Sequence, residues 1–351
     1  MNISQEHFGK LSNGSSVDSI ELKNDHELSI KILSYGGIIQ SIIAPDLQGV
    51  FKDIVLGKED IKAYEEDDSY MGAVIGPTAG RIHQGKFNLD DTNYILDTQG
   101  EAHHLHGGPV GLSHKIWGYK TESREGSVKL ELFTQAMDGE GGYPGLRNYK
   151  VTYILNNKNQ LMIYFDADTD KDTIINMSSH SYFNLSNEDE TIMNHKIMIN
   201  AQKTLSLNQD LIPDGTYEYV LGKPLNFNRG AILEEAIKKN NGGFDHVYVI
   251  NKEYAAFGIS AKAVDEKSGR TLDLVTDQPA VVFYTSNDFD GSALGKDGKP
   301  LIKYAGFCLE PQHFPDAPNH PNFPCITLRA GKKYKSRSMF TFGLTSDRHH
   351  D

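Results

Sequence analysis

Apolar and polar residues alternate one by one along much of this chain, and this pattern constrains its fold more than any other feature. Successive side chains of a β-strand point to opposite faces, so the alternation indicates strands with one buried and one solvated face. It is seen at 28–32, 128–132 and 151–155. Runs rich in β-branched and aromatic residues, which are also typical of strands, lie at 247–250, 272–276 and 281–285.

Few segments have the pattern of a helix. The best is 231–239, and one turn of helix is expected near 59–65. Many short strands separated by turn residues favour an antiparallel sandwich or barrel over a parallel α/β sheet. We therefore predict an all-β protein, a large antiparallel β-sandwich with few short helices. It should form a single domain over residues 1–345, followed by a polar tail at 346–351.

The charge of the chain argues against several classes of partner. Its 351 residues carry a formal net charge of −12, and the lysines and arginines are scattered rather than clustered. We expect no nucleic acid and no membrane as a partner, because phosphate binding needs a concentrated basic patch. The polar N-terminus predicts a cytoplasmic location. Cys308 and Cys325 lie in apolar or proline-flanked surroundings and are expected to be buried free thiols.

One carboxylate stands out. Glu310 lies at the end of an apolar run and directly before a proline-rich segment, where rigid backbone can hold a general base. Two histidine motifs elsewhere, at 104–108 and 180–185, could supply its partner. Isolated glutamate has a pKa of about 4.3 and isolated histidine of about 6.5, so one group can accept a proton while the other donates it. Such a pair needs no cofactor.

Other chemistries are also compatible with parts of the sequence. His104 and His106 resemble paired metal ligands on a strand, but no carboxylate follows at 107–113, and we predict no metal. Whether the cluster 103–106 binds one is not decided by the sequence. Asp245 and Glu310 could be the two acids of a glycoside hydrolase. The glycine-rich segment 139–145 lacks the phosphate-loop pattern.

Ordered motifs over most of the chain resemble those of the aldose 1-epimerase (galactose mutarotase) family. They include Gly-Pro-Thr-Ala-Gly-Arg-Ile at 76–82, His-Leu-His-Gly-Gly at 104–108, His-Lys-Ile-Trp at 114–117, Asp-Gly-Glu-Gly-Gly-Tyr-Pro-Gly at 138–145, His-Ser-Tyr-Phe-Asn-Leu at 180–185, Ile-Pro-Asp-Gly at 212–215, Gly-Phe-Asp-His at 243–246, Phe-Tyr-Thr-Ser-Asn at 283–287 and the segment around Glu310. Each motif is weak alone, and their common order carries the resemblance.

The resemblance implies a galactose mutarotase-like supersandwich that interconverts the α and β anomers of a free aldose such as galactose or glucose. In that scheme Glu310 removes the proton of the C1 hydroxyl, His180 protonates the ring oxygen, and His106 polarises the reacting oxygens. Arg81 and Asp245 match positions that hold sugar hydroxyls through charge-assisted hydrogen bonds. The implied protein is a cofactor-independent isomerase, a monomer or homodimer, whose partner is a small-molecule sugar.

Four positions depart from the family pattern. An asparagine commonly precedes the arginine at Arg81, but here it is Gly80, and Val282 stands where a sugar-contacting glutamine is often seen. His103 and Ser179 each stand where an asparagine is usual. Gly80 and Val282 are thus substrate-binding positions with altered contacts, and the preferred sugar stays open. The alternatives are a relative acting on a disaccharide, pentose, modified sugar or other cyclic hemiacetal, and a non-catalytic carbohydrate-binding protein.

Overall fold

A nine-stranded antiparallel sheet is the largest element of the computed structural model, which describes residues 1–186 and 190–350, with backbone alone for 348–350. From edge to edge its strands are Gly118–Arg124, Ser127–Ala136, Arg147–Asn156, Gln160–Thr169, Lys333–Leu344, Arg270–Thr276, Gly258–Val264, Lys196–Ile199 and Ala231–Ile232.

Two further antiparallel sheets pack against it. The five-stranded sheet is N-terminal and contains Asn2–Lys10, Ser16–Lys23, Ser29–Leu33, Ile39–Pro45 and Phe51–Asp53. The six-stranded sheet runs in the order Tyr182–Phe183, Phe307–Gln312, Ala280–Tyr284, Asp245–Ile250, Ala201–Leu207 and Pro213–Tyr219. The six-stranded sheet carries the site described below.

Short elements connect the sheets. The two-stranded pairs are Arg81–Ile82 with His104–Leu105, Val74–Ile75 with Ser178–Ser179, Thr173–Ile174 with Thr327–Leu328, Lys86–Leu89 with Thr92–Ile95, and Asp290–Leu294 with Pro300–Ile302. The α-helices among the described residues are Ile61–Glu65 and Leu233–Asn240. Short 3-10 helices occupy His83–Gly85, Gly108–Val110, Leu112–His114, Glu140–Gly142, Lys296–Gly298, Ala317–Asn319 and Thr345–His350.

The main core lies between the nine-stranded sheet and the other two. Its buried cluster takes inward-facing residues from all three sheets, among them Ile30, Val151 and Phe283. Phe183 of the six-stranded sheet meets Phe340 of the nine-stranded sheet with ring centroids 5.5 Å apart. Alternation along each strand therefore buries one face, which is why the period-2 pattern predicts these strands correctly.

The predicted all-β antiparallel sandwich is confirmed, and each of the six predicted strand runs lies in or overlaps a strand. The helix expected at 231–239 begins instead at Leu233, because Ala231 and Ile232 pair with the strand Lys196–Ile199. The turn expected near 59–65 is the helix Ile61–Glu65, capped by Asp60, whose carboxylate accepts a hydrogen bond from the Ala63 N–H.

Both cysteines are free, and Cys308 is buried as predicted. The expectation for Cys325 is wrong, because that residue is exposed. Its neighbours Phe323 and Ile326 turn inward and leave the thiol on the outside of the loop. No helix in the described part of the chain is long and apolar enough to cross a membrane. The single domain 1–345 stays a prediction, and the predicted tail at 346–351 lies partly outside the described residues.

Candidate active site

One face of the six-stranded sheet carries the carboxylates singled out by the sequence. The strand Phe307–Gln312 pairs with Ala280–Tyr284, which pairs in turn with Asp245–Ile250. The register places Val282 opposite Glu310 and Tyr284 opposite Asp245. Cross-strand neighbours share a face, so Glu310 and Asp245 project from the same side in adjacent rows of residues.

Glu310 lies within the strand, not at its end before a turn as the sequence suggested. The strand continues through Pro311 to Gln312. The neighbouring strand Tyr182–Phe183 pairs only as far as Cys308, so one edge is free of a strand ladder at Pro311. A proline, which has no N–H to donate, is tolerated there. Glu310 is therefore held by the sheet itself.

His180 is delivered from the connection between Ser178–Ser179 and Tyr182–Phe183. Its N–H donates to the Ala73 carbonyl at 2.9 Å, and its carbonyl accepts from the Gly72 N–H at 2.9 Å. The Tyr182 ring stacks on the imidazole with centroids 5.0 Å apart. These contacts bring His180 Nε2 to 3.5 Å from Glu310 Oε1. The structure thus brings together the proposed acid and base.

His106 follows the short strand His104–Leu105 in the left-handed backbone region, with φ of 52°. This conformation is unfavourable for a residue with a Cβ and is often kept at functional sites. It turns the ring toward His180, with centroids 5.4 Å apart. The Gly80 N–H donates to His106 Nδ1 at 3.1 Å. In the neutral ring the proton is therefore on Nε2, which makes that nitrogen a donor.

These side chains line one cavity of about 300 Å³. All seven predicted site residues contribute to it: Gly80, Arg81, His106, His180, Asp245, Val282 and Glu310. Among the described residues, the Arg81 guanidinium makes no hydrogen bond or ion pair with the rest of the chain. It is therefore available to a ligand. At Gly80, with φ of 77°, an added Cβ would lie 2.7 Å from the Pro315 ring.

Burial shifts the protonation of these groups in opposite directions. Burial, reinforced by the charge of Asp245, raises the pKa of Glu310 well above its usual value. Burial also raises the pKa of Asp245 itself. By contrast, burial lowers the pKa of His180 to about 4. Burial and the neighbouring His180 and Arg81 hold the pKa of His106 well below its usual value. Groups perturbed in this way within one cleft are typical of an active site.

The same three catalytic candidates are close enough to hold a metal ion. One ligand atom each from His106, His180 and Glu310 lies within 4.8 Å of the others. A metal ligand needs a nitrogen without a proton, whereas the hydrogen bond from Gly80 places the proton of His106 on its cleft-facing Nε2. The donor set of His106 therefore suits a hydrogen bond to a ligand oxygen better than a metal.

The other two histidines of the 103–106 cluster face away from the cavity. His104 Nε2 lies 2.7 Å from the Tyr143 hydroxyl, and its Nδ1 lies 2.6 Å from the Asp97 carbonyl. Since His106 lies outside the two-residue strand, the alternation that would align His104 and His106 as metal ligands does not extend to it. His103 lies with Nε2 3.6 Å from the Asp210 carboxylate.

Tyr70 and Gln312 are among the cleft residues that were missed from the sequence. Tyr70 has φ of 54°, and its ring centroid lies 4.8 Å from that of His106 and 6.3 Å from that of His180. Gln312 is fully buried and lines the cavity beside Glu310. Period-2 alternation could have placed Gln312 on the face of Glu310. Nothing in the sequence around Tyr70 marks it.

A larger hollow of about 500 Å³ lies on the nine-stranded sheet. Its charged lining residues are already matched, with Lys150 3.6 Å from Asp166 and Lys333 3.7 Å from Asp168. It contains no histidine and no buried acid. The smaller cavity is therefore the candidate active site.

The chain is similar in sequence and fold to known proteins. The family described as aldose 1-epimerase matches residues 18–341. Galactose mutarotase of Rattus norvegicus is 35% identical over 347 residues, covering 98% of this chain and 99% of that protein. Aldose 1-epimerase of Escherichia coli K12 is 28% identical over 92% of this chain and 94% of that protein. A solved aldose epimerase homologue from C. elegans superposes with a TM-score of 0.85 at 28% identity, covering 93% of this chain and 98% of that one.

Proposed function

The chain belongs to the aldose 1-epimerase family, and we propose that it interconverts the α and β anomers of free aldoses by proton transfer through Glu310 and His180. The observation that carries the assignment of residues is the 3.5 Å separation of His180 Nε2 and Glu310 Oε1 inside the cavity. The hydroxyl oxygen and the ring oxygen of a cyclic aldose are bonded to the same carbon. A base and an acid this close can therefore act on both oxygens at once.

In ring opening, Glu310 accepts one proton and His180 donates one. The Glu310 carboxylate takes the proton of the C1 hydroxyl, the C1–O bond to the ring oxygen breaks, and protonated His180 gives its proton to that oxygen. The product is the open-chain aldehyde with a neutral imidazole and a protonated carboxyl group. Rotation about C1–C2 presents the other face of the aldehyde. Closure then runs the two proton transfers in reverse.

The pKa shifts indicate which of the two groups, Glu310 or His180, holds the one proton that they share. A raised pKa on Glu310 and a lowered pKa on His180 favour the proton on the carboxyl group in the empty site. This is the arrangement reached after ring opening, whereas ring opening starts with the proton on His180. The charge of Arg81 and the hydrogen bond from Gln312 both act to lower the pKa of Glu310, and so favour the starting arrangement. In both arrangements the pair holds one proton.

The remaining predicted residues bind the sugar in this proposal. Arg81 donates to hydroxyl groups, and Asp245, beside Tyr284 on the sheet, accepts from them. His106 donates from Nε2 to the reacting oxygens, because its Nδ1 is occupied by the Gly80 N–H. None of these steps uses a cofactor. The cytoplasmic location and the monomeric or homodimeric state expected from the sequence belong to the same proposal.

A second candidate is the same reaction on an aldose other than galactose. Val282 and Val247 are direct cross-strand neighbours in the row of Glu310, so the floor beside the base is apolar. Gly80 has no side chain, and the Pro315 ring leaves no room for one at this position. A sugar that presents C–H groups or lacks a hydroxyl at this floor is accommodated without leaving a polar group unpaired.

Exchange between anomeric NMR signals tests the function directly. The wild-type protein should accelerate exchange for at least one sugar among galactose, glucose, a pentose and maltose. Unchanged exchange for all of them would refute the reaction, and tight binding of a sugar without exchange would favour a carbohydrate-binding protein.

A further inference from the structure

Gln312 is a polar cleft residue for which the acid–base scheme has no direct use. It is fully buried, and it lies two residues after Glu310 on the same face of the strand Phe307–Gln312. Its amide nitrogen lies 3.4 Å from Glu310 Oε2. Its amide oxygen has no hydrogen-bond partner in the described part of the chain. An unpaired buried carbonyl is uncommon and calls for an explanation.

The carboxylate decides which way the amide faces. Ring opening starts with Glu310 ionised, and a carboxylate only accepts hydrogen bonds. In that form the NH₂ group points to Glu310 and Oε1 points away from it, which is the orientation in the structure. Oε1 then lies 3.4 Å from the place that a Cβ on residue 80 would occupy. Residue 80 is a glycine that lines the cavity, so this side of the amide is not covered by a side chain from that position.

The free oxygen needs a donor, and the natural one is the substrate. A sugar hydroxyl can donate this hydrogen bond when the amide turns toward it, whereas in the empty cavity Oε1 is closed to water. A bound hydroxyl therefore pairs a carbonyl that is otherwise unpaired. A sugar without that hydroxyl leaves it unpaired in a closed cavity, which weakens recognition by roughly tenfold.

We propose that Gln312 both binds the substrate and positions the base: its Oε1 accepts a hydrogen bond from one hydroxyl of the aldose, and its Nε2 holds the Glu310 carboxylate. This inference rests on the proposed function and adds a selectivity element to the same site. It connects recognition to chemistry, because one rigid amide touches both the substrate and the base. A hydroxyl in the correct place fixes the amide, and the amide fixes Glu310.

The test combines a variant with a series of sugars. Gln312→Met keeps the length of the side chain and removes both the donor and the acceptor. Rates of anomer exchange are measured for the preferred aldose and for each of its monodeoxy analogues. We expect the wild-type protein to discriminate against one analogue by roughly tenfold in kcat/KM, and Gln312→Met to lose that discrimination while keeping those at other positions.

A second variant separates the two roles. Gln312→Glu keeps an acceptor oxygen but replaces the donor with a second carboxyl group. It should keep the discrimination against the deoxy analogue, lose kcat, and move the high-pH limb of the rate profile upward, because Glu310 then shares a proton with its neighbour. This variant also carries the test if Gln312→Met does not fold.

Gln278→Met is the matched control. Gln278 is also a buried amide, bonded to Asp277 and His313, but it does not line the cavity. The Gln278→Met variant should leave the sugar preferences unchanged. Gln312→Met should also lower the rate for all sugars, because it removes the hydrogen bond to Glu310. If the variant still discriminates against the deoxy analogue as the wild type does, the proposal is overturned, whereas the proposed epimerase function is not. Absence of exchange in the wild-type protein would instead refute the proposed function itself.

Discussion

Replacing Glu310 by glutamine should nearly abolish turnover and make the protein more stable. The carboxamide has almost the same shape as the carboxyl group, but it cannot take the proton of the C1 hydroxyl. A positioned general base contributes roughly 10²–10⁴-fold to a rate, so we expect a loss of that size in kcat/KM. His180 keeps its backbone hydrogen bonds to Ala73 and Gly72 in the variant, so the cleft should stay formed.

The gain in stability follows from the direction in which burial moves the pKa. Burial raises the pKa of Glu310 well above the ordinary value of 4.5. Between 4.5 and the raised value, the unfolded chain has lost this proton while the folded chain still holds it. The group therefore favours the folded state at low pH, and this contribution is lost as the pH rises through the folded pKa. A tenfold difference in proton affinity between the folded and unfolded states corresponds to about 1.4 kcal/mol of stability.

Glutamine has no proton to lose, so Glu310→Gln removes this pH-dependent penalty. The variant should unfold at a higher temperature than the wild type at neutral pH, and the difference should shrink toward pH 4. Thermal unfolding followed by circular dichroism measures the midpoint at each pH, and anomer exchange measures the rate. Glu101→Gln is the control, since Glu101 is exposed and does not line the cavity.

Two outcomes would refute this reasoning. A variant that keeps its rate within a factor of ten would show that Glu310 is not the base. A variant that is less stable than the wild type at neutral pH would show that the buried carboxyl group stabilises the fold. The second result would place the ionised form of Glu310 in a favourable environment, contrary to its burial beside Asp245.

The geometry of the site leads to three further predictions. The value of kcat/KM should fall below about pH 4, where the pair of His180 and Glu310 takes up a second proton, and at high pH, where the pair loses its only proton. A low-pH limb near 6.5 in buffered exchange assays would contradict the lowered pKa of His180. Asp245→Asn should move the high-pH limb downward and raise KM, because the charge of Asp245 helps to raise the pKa of Glu310. Gly80→Ala should lower the free energy of unfolding by about 1–3 kcal/mol, because a Cβ would clash with the Pro315 ring at a φ of 77°. In chemical denaturation, Gly126→Ala should lose less, since its φ is 72° but nothing lies near its Cβ.

The strands could be predicted because each has one face in a shared core. At 128–132 and 151–155 the alternation matches two neighbouring strands of the nine-stranded sheet, Ser127–Ala136 and Arg147–Asn156, which pair residue by residue. The alternation does not show the order of the strands in the sheet. For example, Lys333–Leu344 pairs with Gln160–Thr169, although the two strands are far apart in the sequence. Family resemblance predicted the supersandwich, and periodicity predicted its strands, but neither predicted their order.

The candidate site, like the fold, could be predicted only in part from the sequence. Glu310 and His180 were selected from their motifs, but their contact depends on Val74–Ile75 pairing with Ser178–Ser179, a long-range step that spacing does not show. Tyr70 could not be found, because its place beside His106 comes from a strained backbone in an irregular loop. That loop is held by Asp67, whose carboxylate accepts from the Met71 N–H at 3.0 Å.

Gly80 and Val282, which depart from the family pattern, add no titratable group to the proton-transfer pair. Gly80 and Val282 shape the wall and floor of the cavity, whereas the proton of the pair is governed by burial, by Asp245 and Arg81, and by the amide of Gln312. Substitutions at Gly80 and Val282 can therefore change which sugar fits without changing the pH dependence of the reaction. Gln312 is different, because it meets the base on one side and the substrate on the other. Removing both ends of the amide, as in Gln312→Met, should alter selectivity and pH profile together. This coupling distinguishes a residue that links binding to chemistry from one that only shapes the pocket.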